Sequence, residues 1–132
     1  MLTVSGNKYH LEDEKFSIEF LQKKGVYNDG EAHWHTFYEI YYLMKGERIY
    51  FINETVYTAR SGDLVVINPH DVHRTTSSST VPEFERVLVN FSESFLSPGL
   101  VREQLLLLPF QGGSRLLRFP VKEQTNIEHL FF

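Results

Sequence analysis

Between Phe16 and Phe91 the apolar residues recur at every second position in short runs broken by turn residues, and no 3.6-residue period is sustained. Side chains alternate across a strand, so each run has one face to bury, and a succession of them describes antiparallel strands in a sandwich or barrel. Phe16-Ser17-Ile18-Glu19-Phe20 alternates cleanly, and Phe37 to Met44 is a long aromatic and aliphatic run that stops at Lys45-Gly46. Arg48 to Ile52 and Thr55 to Ala59 flank Asn53-Glu54, and because Asn accepts positive φ the pair predicts a tight hairpin. Ser61-Gly62-Asp63 turns into the strand Leu64 to Ile67, and Asn68-Pro69-His70-Asp71 breaks it, with His70 as a turn residue. Past the polar loop Ser77-Ser78-Ser79-Thr80, Phe84 to Phe91 is the next strand.

After Phe91 the character changes. Ser92-Glu93-Ser94 can cap a short helix, and Leu100 to Leu108 predicts a second helical piece, ended by Pro109, Gly112 and Gly113. Its Leu105 to Leu108 run suits a core or a dimer partner. Arg115 to Phe119 reads as one more extended segment, and from Val121 the spacing of Ile127, Leu130 and Phe131 predicts a helix. No stop signal follows that helix, so the expectation is a piece excised from a longer protein. The expected organisation is an N-terminal arm at 1–15, a barrel at 16–96 and a dimerising helical segment at 97–132.

Composition narrows the chemistry. With 132 residues, 42% of them hydrophobic, the chain can bury the core of one compact domain. Thirteen Lys and Arg stand against seventeen Asp and Glu with no basic stripe, which argues against DNA binding by this chain alone. The absence of cysteine excludes disulfides, thiolate nucleophiles and sulfur-bound zinc, so any metal must be held by His and carboxylates. No signal-peptide pattern opens the chain, and no run approaches the ~18 apolar residues of a membrane span. A cytoplasmic protein with no membrane partner is expected.

The chemistry concentrates in His33-Trp34-His35-Thr36-Phe37-Tyr38-Glu39, joined later by His73. On an extended chain, residues 33, 35, 37, 39, 41 and 43 share a face, which holds two imidazoles and a carboxylate and continues into Tyr41 and Leu43. Imidazole nitrogen and carboxylate oxygen suit zinc, iron, nickel or manganese. A straight strand would carry Glu39 about 13 Å past His35, so convergence needs a bend or bulge and a ligand from another strand, for which His73 is the candidate. The same cluster also suits an ion-free ligand pocket or a satisfied internal network. Arg86 has two roles open to it, a planar fork clamping a carboxylate or phosphate and an ordinary ion pair. Tyr41 could stack on a ligand or simply pack in the core. His10 and His129 lie outside the pattern, and neither a Gly-rich phosphate loop nor a nucleophile elbow is present.

His33-x-His35-x3-Glu39-x6-Gly46 and Gly62-x5-Asn68-x-His70-x2-His73 resemble the two cupin motifs. Within cupins, His35-x2-Tyr38-Glu39-Ile40, Tyr57 to Ala59, Gly62-Asp63-Leu64-Val65-Val66-Ile67, Pro69, His73-Arg74, Phe84-Glu85-Arg86 and Asn90-Phe91 look most like the N-terminal sensor domain of AraC-type transcription regulators. The resemblance covers residues 30–96. It departs at Tyr27, where motif one has Gly, and at Asn68, His70 and Ser77, where motif two has Pro, Gly and Asn. All four ligand positions, His33, His35, Glu39 and His73, are spared.

The resemblance implies an all-β, cupin-like double-stranded β-helix (jelly-roll barrel) with short C-terminal helices. It implies a non-enzymatic regulatory domain that binds a small-molecule effector, a sugar or other metabolite, with or without a divalent metal on His33, His35, Glu39 and His73, and the candidate ligand contacts are Tyr41, Arg86 and His73. It further implies a homodimer whose DNA contacts belong to a C-terminal domain outside this chain. The competing expectation is a stand-alone metal-dependent cupin enzyme, a dioxygenase or sugar isomerase, in which the same four residues hold zinc, nickel, iron or manganese.

Overall fold

The computed structural model describes residues 4–11, through their backbone, and residues 15–28, 31–96 and 107–131. Among the described residues there are eight strands: β1 (Val4–Leu11), β2 (Phe16–Lys23), β3 (Tyr38–Ile52), β4 (Thr55–Arg60), β5 (Asp63–Ile67), β6 (His73–Ser77), β7 (Phe84–Phe91) and β8 (Arg115–Arg118). A 3-10 turn at Glu93–Phe95 follows β7, and two helices, α1 (Leu108–Gln111) and α2 (Val121–Phe131), flank β8. The expected all-β class with short C-terminal helices holds.

All strand pairings are antiparallel, in the order β1-β2-β7-β3-β5-β8, with β4 and β6 on the second half of β3. The sheet extends past residues 16–96 on both sides, since Val4–Leu11 pairs with β2 and Arg115–Arg118 with β5. The Asn53 hairpin forms as expected, with Asn53 at φ 51, and His70 sits in its turn at φ 72.

Two expectations are corrected. The runs on either side of Lys45-Gly46 are one strand, because Gly46 at φ 100 and a register shift between Leu43 and Lys45 let β3 bend without ending. Its first half lies between β5 and β7, and its second half lies between β4 and β6. The bulge also switches parity, so that Glu39, Tyr41 and Leu43, then Arg48, Tyr50 and Ile52, are the buried positions facing inward. Pro109 does not end a helix. It stands in the first turn of α1, where a missing N–H costs no hydrogen bond. Of the expected helix from Leu100 to Leu108, residues 100–106 lie outside the described residues.

The core has two parts because the sheet is covered on both faces. Tyr41, Leu43, Tyr50, Ile52, Val65, Ile67 and Phe84 fill the interior between the strands. Val66, Val87, Val89, Phe91 and Phe110 lie on the opposite face, and Phe16, Ile18, Phe20 and Phe131 pack against them. Helix α2 docks on this outer face at Tyr42, which is 0% exposed, stacks on Phe131 at 5.9 Å and donates a hydrogen bond to Glu128 Oε1 at 3.2 Å.

Burial and the neighbouring Glu128 carboxylate push the Tyr42 hydroxyl up to about 12. An unfolded tyrosine ionises near pH 10, so between pH 10 and 12 the unfolded chain loses a proton that the folded chain keeps, and stability falls as pH rises. Tyr42→Phe is expected to lose about 1 kcal/mol at pH 8 but to decline less steeply with pH, the difference reaching about 2 kcal/mol by pH 12. Urea midpoints of both proteins across this range check it, and parallel declines would contradict it.

Candidate functional site

The three histidines converge by a different route from the one the strand pattern predicts. His33 and His35 do not lie on β3 but in the segment that precedes it. His33 is pinned there by an isolated antiparallel bridge to His73, with His33 N donating to His73 O at 3.0 Å and His73 N to His33 O at 2.9 Å. His70 N donates to His35 O at 2.7 Å, so the turn after β5 holds the second histidine. The required bend therefore precedes the strand, while the bulge at Lys45 sets the inward face of its second half.

The ligand nitrogens of His33, His35 and His73 lie within 4.8 Å of one another, a cluster able to hold a metal ion. Glu39 Oε1 lies 3.3 Å from His35 Nε2 and 3.7 Å from His73 Nε2. The Nδ1 atoms of His35 and His73 stand 2.9 Å from the carbonyls of Phe37 and Asp71, contacts that assign the proton to Nδ1 and leave a lone pair on Nε2. Those lone pairs and a carboxylate then face each other, and His73 Nε2 is buried without a hydrogen-bond partner among the described residues. Only a shared proton or a cation relieves such a gathering of electron-rich atoms. The donor set thus fits a divalent metal, with backbone carbonyls orienting two of its imidazoles.

Glu39 itself is 5% exposed and accepts a 2.7 Å hydrogen bond from Tyr50. Burial alone would raise its pKa, but the contacts with His35, His73 and Tyr50 outweigh burial and hold the carboxyl below its ordinary value. Burial lowers the pKa of His73 despite the opposing pull of Glu39, keeping its imidazole in the neutral, metal-binding form.

His33, His35 and Glu39 line one end of a cavity of about 390 Å³, and His73 contacts them without itself lining it. Tyr41 and Arg86 line it too, whereas His73, the third expected ligand contact, stands outside the lining with its ring against those of His33 and His35. Arg86 is the buried half of an ion pair, its Nη2 2.5 Å from Glu19 Oε1. Sequence reasoning missed Glu19, Tyr27, Arg48, Tyr50 and Asn90 in the lining. Arg48 is 0% exposed, and its guanidinium donates to Tyr27 O at 2.6 Å, Ser77 Oγ at 3.1 Å and Thr75 Oγ1 at 3.0 Å. The available signal was Arg48-x-Tyr50-x-Ile52, which shares one face of the second half of β3.

A family model for the AraC-like ligand-binding domain matches residues 20–131. The chain belongs to that family. The AraC-like domain is also 33% identical over 61 residues to the HTH-type transcriptional regulator YbfI of Bacillus subtilis (strain 168), an alignment covering 46% of this chain and 22% of that protein. The chain thus spans under a quarter of that relative's length.

Two solved structures similar to the AraC-like domain place its fold among the cupins. A cupin superfamily protein from Desulfitobacterium hafniense has a TM-score of 0.58 at 11% identity, over 68% of this chain and 78% of that one. Oxalate decarboxylase from Bacillus subtilis, described with Mn(II) centres, has a TM-score of 0.56 at 18% identity, over 69% of this chain and 26% of that one. Among the described residues no helix is long and apolar enough to cross a membrane.

Proposed function

We propose that the chain is the effector-sensing part of an AraC-type transcription regulator, which binds a small metabolite in the barrel cavity and catalyses no reaction. The observation that carries this reading is a cavity of about 390 Å³, ringed by buried polar side chains, inside a member of the AraC-like ligand-binding family. That volume lies at the lower end of the range for small-molecule sites. Tyr41, Arg86 and His73 are the proposed ligand contacts. His33, His35, Glu39 and His73 are the proposed holders of a divalent zinc, nickel, iron or manganese ion, which would supply a Lewis-acidic contact for a ligand oxygen. DNA is reached through a domain outside this chain, residues 97–132 serve a homodimer, and residues 1–15, of which Val4–Leu11 is the edge strand β1, serve as the regulatory arm. Ligand binding acts by favouring one arrangement of these parts over another.

A thermal-shift screen of metabolites is expected to return ligands that raise the melting temperature by about 8 °C at a hundred times their Kd. The shift should vanish in Leu88→Phe, whose ring takes up cavity space. Trp34, the single tryptophan, stands between two of the histidines and reports ion uptake by its fluorescence. His73→Ala is expected to weaken Zn²⁺ or Mn²⁺ binding about a hundredfold while the chain stays folded. A chain that takes up neither ion nor metabolite would end the proposal. The complete His and Glu set is the one observation favouring a metal-dependent cupin enzyme, and metal-dependent turnover of a bound metabolite would decide for it.

A further inference from the structure

The cavity has two chemically different ends. Along β7, Asn90 lies opposite Glu39 and Arg86 lies opposite Leu43, four residues or about 13 Å apart at strand rise. Along the second half of β3, Ile52 lies opposite His73 and Arg48 lies opposite Ser77. The imidazoles and Glu39 therefore mark one end, and the two arginines mark the other. Arg48 stacks over the Phe84 ring at 4.3 Å and Arg86 stands over Tyr41 at 5.9 Å. A third cation is close by, since Lys23 pairs with Phe84 across β2 and β7 and its Nζ sits 3.4 Å from the Tyr27 ring centroid. Burial and the positive charge of Arg48 and Arg86 lower the pKa of Lys23, as expected where cations crowd together.

Among the described residues that line the cavity, Glu19 is the carboxylate at this end. Glu19 reaches in from β2, and its Oε1 and backbone carbonyl both accept from Arg86, at 2.5 and 3.2 Å. Its side chain is 27% exposed against 10% for Arg86, so the carboxylate is the partner nearer to solvent and the guanidinium the one held in the wall. At the far end Asn90 Oδ1 is buried with no hydrogen-bond partner among the described residues, an acceptor available to a hydroxyl.

We propose that the ligand is a small hydroxylated acid whose carboxylate or phosphate exchanges with the Glu19 side chain on Arg86, beside Arg48 and Lys23, while a hydroxyl is met at Asn90. Glu19 acts as a resident stand-in that keeps the buried guanidinium paired until the acid arrives, and it lowers the acid's affinity by competing with it. A neutral sugar cannot make this exchange, because it would leave the buried Arg86 guanidinium without a counter-charge. The inference rests on the effector-binding reading above and narrows it to one ligand class.

The test uses matched pairs on the chain in chelator-containing buffer at constant ionic strength, so that no ion recruits the acid. Gluconate and glucose 6-phosphate are each compared with glucose, and malate with malamide, by thermal shift and Trp34 fluorescence. The acids are expected to stabilise the chain and their neutral twins to leave it unchanged, with gluconate against glucose 6-phosphate deciding between carboxylate and phosphate. Arg86→Gln is expected to weaken acid binding at least about tenfold, and Glu19→Gln to tighten it about tenfold. The second variant keeps the test sharp, because a merely damaged fold does not bind more tightly. Acid binding unchanged or weakened in Glu19→Gln would overturn the exchange, and neutral twins binding as well as the acids would overturn the ligand class while leaving effector binding intact. No response to either member of any pair counts against both.

Discussion

Gly46→Ala is expected to remove about 4 kcal/mol of stability, a large part of what a domain of this size has, and to drive much of the chain into insoluble material. Two costs add at this position. Gly46 holds φ at +100, a region that residues with a Cβ rarely adopt, at a cost of about 1–3 kcal/mol. A Cβ there would also lie 2.3 Å from Glu83 O and 2.9 Å from Phe84 Cα, backbone atoms beside the β3–β7 pairing that cannot rotate away. Relief requires β3 and β7 to part at the bulge that joins the two halves of β3. Gly113→Ala isolates the first cost, since Gly113 sits at φ +87 with nothing within 4 Å of its added Cβ, and about 1–2 kcal/mol is expected there. Urea unfolding of both variants gives the comparison. Equal losses would mean that the close approach at Gly46 contributes nothing.

Arg48→Ala is expected to cost about 3 kcal/mol, or about 10 °C in melting temperature. The guanidinium ties Tyr27, in the segment after β2, to Thr75 and Ser77 on β6 through the three hydrogen bonds described above. Its removal takes from the Thr75 hydroxyl its guanidinium donor, while Tyr27 O still accepts from Ser77 Oγ at 3.0 Å, and it opens a void under Phe84, over which the guanidinium stacks. Against this stands relief of a desolvated charge, which can make loss of a buried ion nearly neutral when apolar atoms replace it. Alanine supplies no such atoms, so the loss of bonds and packing wins. Arg48→Met, which refills part of the space, should recover some of the stability but not the hydrogen bonds of the guanidinium, leaving Tyr27 held to β6 by its two bonds with Ser77 Oγ alone. An Arg48→Ala protein melting within 2 °C of the parent would show that the buried charge was already costing the fold what its bonds return.

The strands from Phe16 to Phe91 were legible because alternation is a local property, the Asn53 hairpin because Asn accepts positive φ, and the turn at His70 because Asn68, Pro69 and Asp71 surround it. The break at Gly46 misled for the same local reason. A glycine after an apolar run marks a turn or a bulge equally well, and only the β7 partner makes it a bulge. Glu19 was hidden more deeply. In β2 the apolar Phe16, Ile18 and Phe20 face the outer layer of the core, and polar Glu19 faces the cavity, the reverse of the usual assignment of apolar residues to a barrel interior. With both faces of the sheet covered, alternation reveals that two faces differ but not which one encloses the cavity.

The sequence by itself determined the kinds of donor atom available, His and carboxylate without sulfur, and the spacing that marks them as one set. Tertiary structure decided that they meet, through the His33–His73 bridge and the turn holding His35, and that arginines stand at the opposite end of the same cavity. The reason is physical. Residue type and parity are carried along the chain, whereas the distance between His33 and His73, and the side of the sheet that Glu19 and Arg48 reach, depend on register and on the Lys45 bulge, which belong to pairs of strands.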